Sequence, residues 1–211
     1  MPNDEVPALT SGRDYAERLQ RLSGKRWKTV LDVQRPFHWN LRRMNLGRTV
    51  EVGCGIGRLL QSLPAGSVGI DHNADAVRMA RDRGMVAYTS AEWDCHEMSR
   101  SGLFDSMLLA HVVEHMTAED AVNLLRHYLP AVCPGGKVAF IVPQEAGYRS
   151  DPTHVRFLDV QELTDLAANV GLLPIRSWSF PFPRPVGRIF AYNETCLLAR
   201  HVPTNAPHAS A

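Results

Sequence analysis

The stretch VEVGCGIGRLL, residues 50–60, decides the fold. A short apolar run ends in Gly53, Gly55 and Gly57, and IGRLLQSL carries on to Pro64. This pattern predicts a strand over 48–52, a glycine turn, and a helix stopped by the proline. Glycines let a backbone turn sharply and approach a ligand more closely than any Cβ allows. The spacing is G-x-G-x-G, not the G-x-G-x-x-G that seats a pyrophosphate on a helix N-terminus, and Glu51 just upstream is a poor neighbour for a diphosphate. A cationic or zwitterionic ligand suits the loop better. Eighteen residues past Gly53 the next strand ends in Asp71, where an acid can accept both hydroxyls of a ribose.

Outward from this loop the chain alternates regularly. Strands are expected at 67–71, 85–89, 104–110 and 136–143, and helices at 74–84 and 118–129, the second capped by Thr117. Strand and helix in this rhythm imply a parallel, doubly wound α/β sheet with ligands at the carboxyl ends of its strands. A helix at 160–171 precedes two β-rich runs, LLPIRSWSF and RIFAYNETCLLA. With no helix between them, these two should pair antiparallel. Before the first strand, the spacing of Leu31, Val33, Phe37, Leu41, Met44 and Leu46 predicts a helix from about Pro36 that packs on the sheet. The expected organisation is a helical segment at 1–47, one domain at 48–200 and a flexible tail at 201–211.

At 211 residues the chain suffices for one large core, and 45% hydrophobic with 21% charged residues excludes a disordered or fibrous chain. A net charge of +1 gives no footprint for a nucleic acid. No run approaches the ~20 apolar residues of a membrane span, and MPNDEVPALT lacks the apolar stretch of a signal peptide. These features point to the cytosol, where Cys54, Cys95, Cys133 and Cys196, scattered without a C-x-x-C pair, stay as free thiols. The bias of 20 Arg against 3 Lys suits a GC-rich bacterial genome.

The motifs in order, EVGCGIGRLL, VGIDHNADAV, YTSAEWD, FDSMLLAHVVEHM and PGGKVAFIVP, resemble those of the class I S-adenosylmethionine-dependent methyltransferases. The resemblance covers about residues 48–200. It implies a Rossmann-like seven-stranded sheet of order 3-2-1-4-5-7-6 with the last strand antiparallel. It also implies S-adenosylmethionine as cofactor, held by Glu51, Gly53, Cys54, Gly55 and Gly57 around the methionine part, Asp71 and His72 at the ribose, Ala91 and Glu92 near the adenine, and His111 at the cleft. The family often has an acid where this chain has Ser90.

HVVEHM, residues 111–116, reads as H-x-x-E-H, an inverted zinc-peptidase signature. A peptidase would need it on a long helix with a distant acidic ligand, and would have no use for a cofactor-binding half. At the end of the fourth strand, one helical turn would put His111, Glu114 and His115 on one face toward the cleft, with Val112 and Val113 turned to the core. One reading is a pair that shapes the pocket floor. The other joins it to QEAGYRSDPTHVRF, which leaves the fifth strand on the same side and supplies Glu145, Asp151 and His154. E-x-x-E-H patterns hold a divalent ion in the ubiquinone-pathway and small-RNA 2′-O-methyltransferases. That resemblance implies a metal on Glu114, His115 and His154, with His111 in place of the first Glu. Magnesium or manganese fits mixed ligands, and more imidazole favours later metals such as zinc.

Methyl transfer to an alcohol needs a proton removed, and an imidazole can do this near neutral pH. His111, His115 and His154 are therefore the candidate bases of an O-methyltransferase. Arg13, Tyr15, Trp27, Phe37 and Trp39 are candidates for a lid, and Asn40, Arg42, Tyr148 and Arg149 for contacts to a polyhydroxylated acceptor. The chain also resembles small bacterial, including actinobacterial, methyltransferases of sugar hydroxyls, among them those acting on methylated mannose-type polysaccharides. The expected acceptor is accordingly a sugar or oligosaccharide. A phenolic or quinone-like metabolite is the enzyme alternative, and a non-catalytic cofactor-binding regulator the other.

Overall fold

The computed structural model describes residues 35–202. Seven strands form one sheet: β1 (Thr49–Val52), β2 (Val68–Asp71), β3 (Ala87–Thr89), β4 (Phe104–Ala110), β5 (Val132–Pro143), β6 (Leu172–Phe180) and β7 (Glu194–His201). Their order is β3-β2-β1-β4-β5-β7-β6. The first five run parallel, while β7 is antiparallel to both β5 and β6. This is the expected architecture. The chain winds outward from β1 to β3, then restarts beside β1 with β4, so a crevice opens beyond the carboxyl ends of β1 and β4. Open α/β sheets bind ligands at such a switch point.

Every residue of β1 and β2 is buried, as parallel strands covered on both faces must be. Alternation along β4 and β5 divides the core. Met107, Leu109, Val138 and Phe140 join Trp93, Phe104, Leu125 and Leu163 on one face. Leu108, Ala110, Ala139 and Ile141 meet helix α1 (Arg35–Arg43) and Phe180 on the other. Helix α1 runs from the carboxyl edge, where Phe37 meets the Phe180 ring at 5.5 Å, to the amino edge, where Lys137 Nζ donates to Asn45 O at 2.7 Å.

The remaining helices are α2 (Ala74–Asp82), α3 (Ser90–Asp94), α4 (Ala118–Tyr128), α5 (Glu145–Arg149) and α6 (Val160–Ala168). Asn73 caps α2, Asp159 caps α6 with Glu162 completing a capping box, and Thr117 caps α4 as expected.

Two expectations need correction. The helix expected over IGRLLQSL is a series of turns ending in a short 3-10 segment, Leu60–Ser62. Positive φ at Gly53, Gly55 and Gly57 delays any helical start, and Pro64 leaves too few residues for a helical nucleus to grow. The strand expected over RIFAYNETCLLA begins only at Glu194. Asn193 prevents an earlier start: its Oδ1 accepts Phe182 N–H at 2.9 Å, and its Nδ2 donates to Gln144 Oε1 and Ser179 Oγ at 2.9 Å each. The lid candidates Arg13, Tyr15 and Trp27, and most of the segments 1–47 and 201–211, lie outside the described residues.

Candidate active site

The glycine loop is woven onto the end of β2. Gly53 and Cys54 N–H both donate to Ile70 O, and Gly55 N–H donates to Asp71 Oδ2 at 2.7 Å. Asp71 Oδ1 accepts Asn73 N–H at 2.8 Å. This buried acid thus braces the loop and the start of α2 together, and each of its oxygens keeps acceptor capacity for a hydroxyl. His72, half exposed, sits 3.5 Å from Asp71 Oδ1. Gly53 has a positive φ and lies flush against the Val112 side chain, so a Cβ there would collide with it. Cys54 is buried against Gly69, and burial pushes its thiol far up, which makes it packing and not a nucleophile.

Glu51 is buried, and its Oε2 has no hydrogen-bond partner. Burial, helped by the charge of Asp71 and opposed by Arg58, pushes its carboxyl up to about 8. An uncompensated acid beside a glycine cradle, with Asp71 across it, fits a ligand with an ammonium group at one end and a ribose at the other. S-adenosylmethionine is such a ligand. Glu92 also has a structural duty. Its Oε2 accepts Thr89 N–H and Arg81 Nη2–H, both at 2.7 Å, in the capping box of α3.

The HVVEHM segment does not start a helical turn at His111. His111 takes a left-handed φ of 58° while its N–H still donates to Ile141 O at 2.9 Å, so the sheet ladder extends into it and the chain then kinks. The 3-10 segment Val113–His115 follows, with Val113 facing the core and Glu114 1% exposed. His111 consequently falls outside the group that Glu114 and His115 form with His154. Its Nε2 lies 2.9 Å from Glu194 Oε1 and its Nδ1 3.3 Å from Glu114 Oε1. Partial burial of the ring would lower its pKa, but the carboxylates of Glu114 and Glu194 beside it outweigh this and raise it to about 10.

Glu114, His115 and His154 do come together: their ligand atoms all lie within 4.8 Å of one another. Val155 and Arg156 N–H both donate to Glu114 O, at 2.8 and 3.1 Å, which ties the loop after α5 to the end of β4. His115 Nδ1 donates to Thr153 O at 3.1 Å, and His154 Nδ1 donates to Tyr148 O at 2.7 Å. Carbonyl oxygens only accept, so both rings carry their proton on Nδ1 and keep a lone pair on Nε2. Glu114 Oε1 has the 3.3 Å ion-pair contact to His111 Nδ1 but no hydrogen bond, and Oε2 has no hydrogen-bond partner among the described residues. Two imidazoles oriented through carbonyls and one unsatisfied buried carboxylate form a donor set that fits a divalent ion with open coordination positions.

Other expected contacts are occupied within the fold. Glu145 forms a two-pronged pair with Arg184 at 2.6 and 2.7 Å, which holds its carboxyl below the usual range, and Asp151 accepts from Thr153 N and Oγ1. Asn40 is buried, its Oδ1 accepting Trp178 Nε1–H at 3.0 Å, so it faces the core. Arg149 donates to Arg188 O, whereas Tyr148 stacks on His154 with ring centroids 5.5 Å apart. Trp39 is exposed under the Arg43 guanidinium. Glu194 and Thr153 were not singled out in the sequence. The antiparallel placement of β7 was the available signal for Glu194, since it brings the first residue of that strand to the carboxyl edge, opposite Pro143.

Residues 50–136 match a family model described as a methyltransferase domain. No curated protein matches the chain. Among solved structures, an S-adenosylmethionine-dependent methyltransferase from Archaeoglobus fulgidus is similar over 82% of this chain and 99% of its own, at 16% identity and a TM-score of 0.62. A magnesium protoporphyrin IX methyltransferase from Synechocystis PCC 6803, with S-adenosylhomocysteine bound, is similar over 93% and 98%, at 16% identity and a TM-score of 0.63. The N-methyltransferase NodS from Bradyrhizobium japonicum is similar over 81% and 97%, at 16% identity and a TM-score of 0.59. The seven-stranded sheet thus has the Rossmann-like fold of the class I S-adenosylmethionine-dependent methyltransferases, and residues 50–136 within it are similar to a methyltransferase domain.

Proposed function

We propose that this chain is a cytosolic O-methyltransferase that uses S-adenosylmethionine to methylate a hydroxyl of a sugar or oligosaccharide, with a divalent ion on Glu114, His115 and His154. The observation that carries the reading is the pair of Nε2 lone pairs facing a buried carboxylate whose oxygens lack hydrogen bonds. A neutral amine acceptor has no need of such a group, but an alcohol must lose a proton. Bound S-adenosylmethionine supplies an electrophilic methyl group, and a bound divalent ion supplies Lewis acidity toward two neighbouring oxygens.

The chain's own residues do the rest. Glu51 and the glycine loop would hold the amino-acid end of the cofactor and Asp71 its ribose. Tyr148 and Thr153 fix the tautomers of His154 and His115, so that either Nε2 can ligate an ion or take the hydroxyl proton. Vicinal hydroxyls of a sugar suit two open positions, and the polar loop 145–156 suits their hydrogen bonds. No helix among the described residues is long and apolar enough to cross a membrane.

A phenolic or quinone-like acceptor is the second reading. It is favoured by the hairpin between β6 and β7, which exposes Phe182, Ile189 and Tyr192 beside α5. The test is transfer of labelled methyl from S-adenosylmethionine to panels of sugars and of catechols, each with and without chelator. Chelator-sensitive labelling of a sugar supports the proposal. Labelling of catechols alone shifts the acceptor to the second reading. Cofactor binding with no transfer to either panel would favour a regulatory protein.

A further inference from the structure

His111 has no part in the Glu114–His115–His154 cluster, yet it occupies the cleft floor between β4 and β7 in a conformation that most side chains avoid. Both ring nitrogens face carboxylates: Nε2 at 2.9 Å from Glu194, and Nδ1 at 3.3 Å from Glu114. Neither nitrogen is free to take a proton from an acceptor, which separates His111 from His115 and His154. The kink that places it there has no packing reason in the ring itself, which is 45% exposed. Its purpose is legible at the far ends of its contacts. Glu114 is almost fully buried, and His111 Nδ1 lies 3.3 Å from its Oε1.

We propose that His111 is a positioning residue for the metal carboxylate, its Nδ1 meeting one oxygen of Glu114 so that the other is presented to the ion, while Glu194 fixes the ring from its Nε2 side. The inference rests on the metal reading above. Glu194 also anchors the arrangement in the sheet, because its backbone pairs with Pro143 and its carbonyl accepts Gln144 Nε2–H at 2.9 Å. A carboxylate held by an outer partner typically gains about 10- to 100-fold in metal affinity over one left free. The ligand chemistry assigned to the site is thus a divalent cation on two imidazoles and a single carboxylate oxygen.

The experiment is a titration of the metal-free full chain with Co²⁺, read by its visible absorption, on wild type, His111→Asn and Glu194→Gln. Asparagine tolerates the left-handed backbone, so His111→Asn keeps the kink and removes the bridge. Glu194→Gln keeps the size of the side chain and weakens its 2.9 Å contact with His111 Nε2. Wild type should show a one-equivalent band, His111→Asn an altered band with about 10- to 100-fold weaker binding, and Glu194→Gln a weaker midpoint as well. S-adenosylhomocysteine affinity should stay unchanged in Glu194→Gln, which separates positioning from general damage. Wild-type midpoints and spectra in both variants would overturn the inference about His111 and leave the metal site standing. Absence of a Co²⁺ band in wild type would overturn the metal reading and this inference with it.

Discussion

Replacing Asp71 with Ala removes one side chain from two structural duties and one binding duty. The carboxylate accepts Gly55 N–H at 2.7 Å and Asn73 N–H at 2.8 Å, and the residue is only 7% exposed. Hydrogen bonds to a charged group contribute about 1.5–3 kcal/mol each, and the Gly55 amide, nearer to solvent, recovers part of its loss from water. The expected loss of stability is therefore about 2–4 kcal/mol. Loss of the ribose acceptor should cost about 1.5–3 kcal/mol more in cofactor binding, roughly 10- to 150-fold in Kd. Urea denaturation reads the first quantity and calorimetric titration with S-adenosylhomocysteine the second. Asp71→Asn should fall between, because an amide still accepts from Asn73 N–H but turns a donor toward Gly55 N–H. If Asp71→Ala unfolds at the wild-type urea concentration and binds with wild-type affinity, the reasoning about this acid is wrong in both parts.

Gly53→Ala should lower the melting temperature by about 4–8 °C, since the positive φ costs roughly 1 kcal/mol and the collision with Val112 adds more. Gly84→Ala, with a positive φ but open space around it, should lower it by about half as much, and equal shifts would remove Val112 from the argument. The folded state holds a proton on Glu51 that the unfolded chain releases, so this group destabilises the fold progressively as pH rises from 4.5 to about 8. Glu51→Gln should gain on wild type across that window in urea midpoint, and parallel profiles would contradict it. The slope from His111 cancels in this comparison, being present in both proteins. His115→Ala and His154→Ala should each cut turnover by about 100-fold or more with cofactor affinity intact, as judged by single-turnover labelling. Full activity in both would return the two rings to a structural role.

Much of this was legible in residues 50–71, because glycine spacing and a strand-ending acid follow from backbone sterics and local hydrogen bonding. The convergence of Glu114, His115 and His154 was legible too, since both segments leave carboxyl ends of adjacent parallel strands. The fate of His111 was not. A helical turn is the default for an i, i+3, i+4 pattern, and only the tertiary pull of Ile141 O and Glu194 turns the chain into the left-handed region. Glu145 and Asn40 escape a sequence reading for a common reason. Polar residues near a cleft look alike in sequence, and their ion-pair or buried partners lie far along the chain, as Arg184 does for Glu145 and Trp178 for Asn40.

The most direct measurement of the central claim is equilibrium binding of labelled S-adenosylmethionine to the purified chain. The account predicts saturable binding of one molecule per chain, displaced by S-adenosylhomocysteine and weakened in both Asp71→Ala and a Glu51→Ala variant that deprives the ammonium group of its acid. A folded wild-type chain that binds no S-adenosylmethionine at any concentration tested would contradict the account at its base.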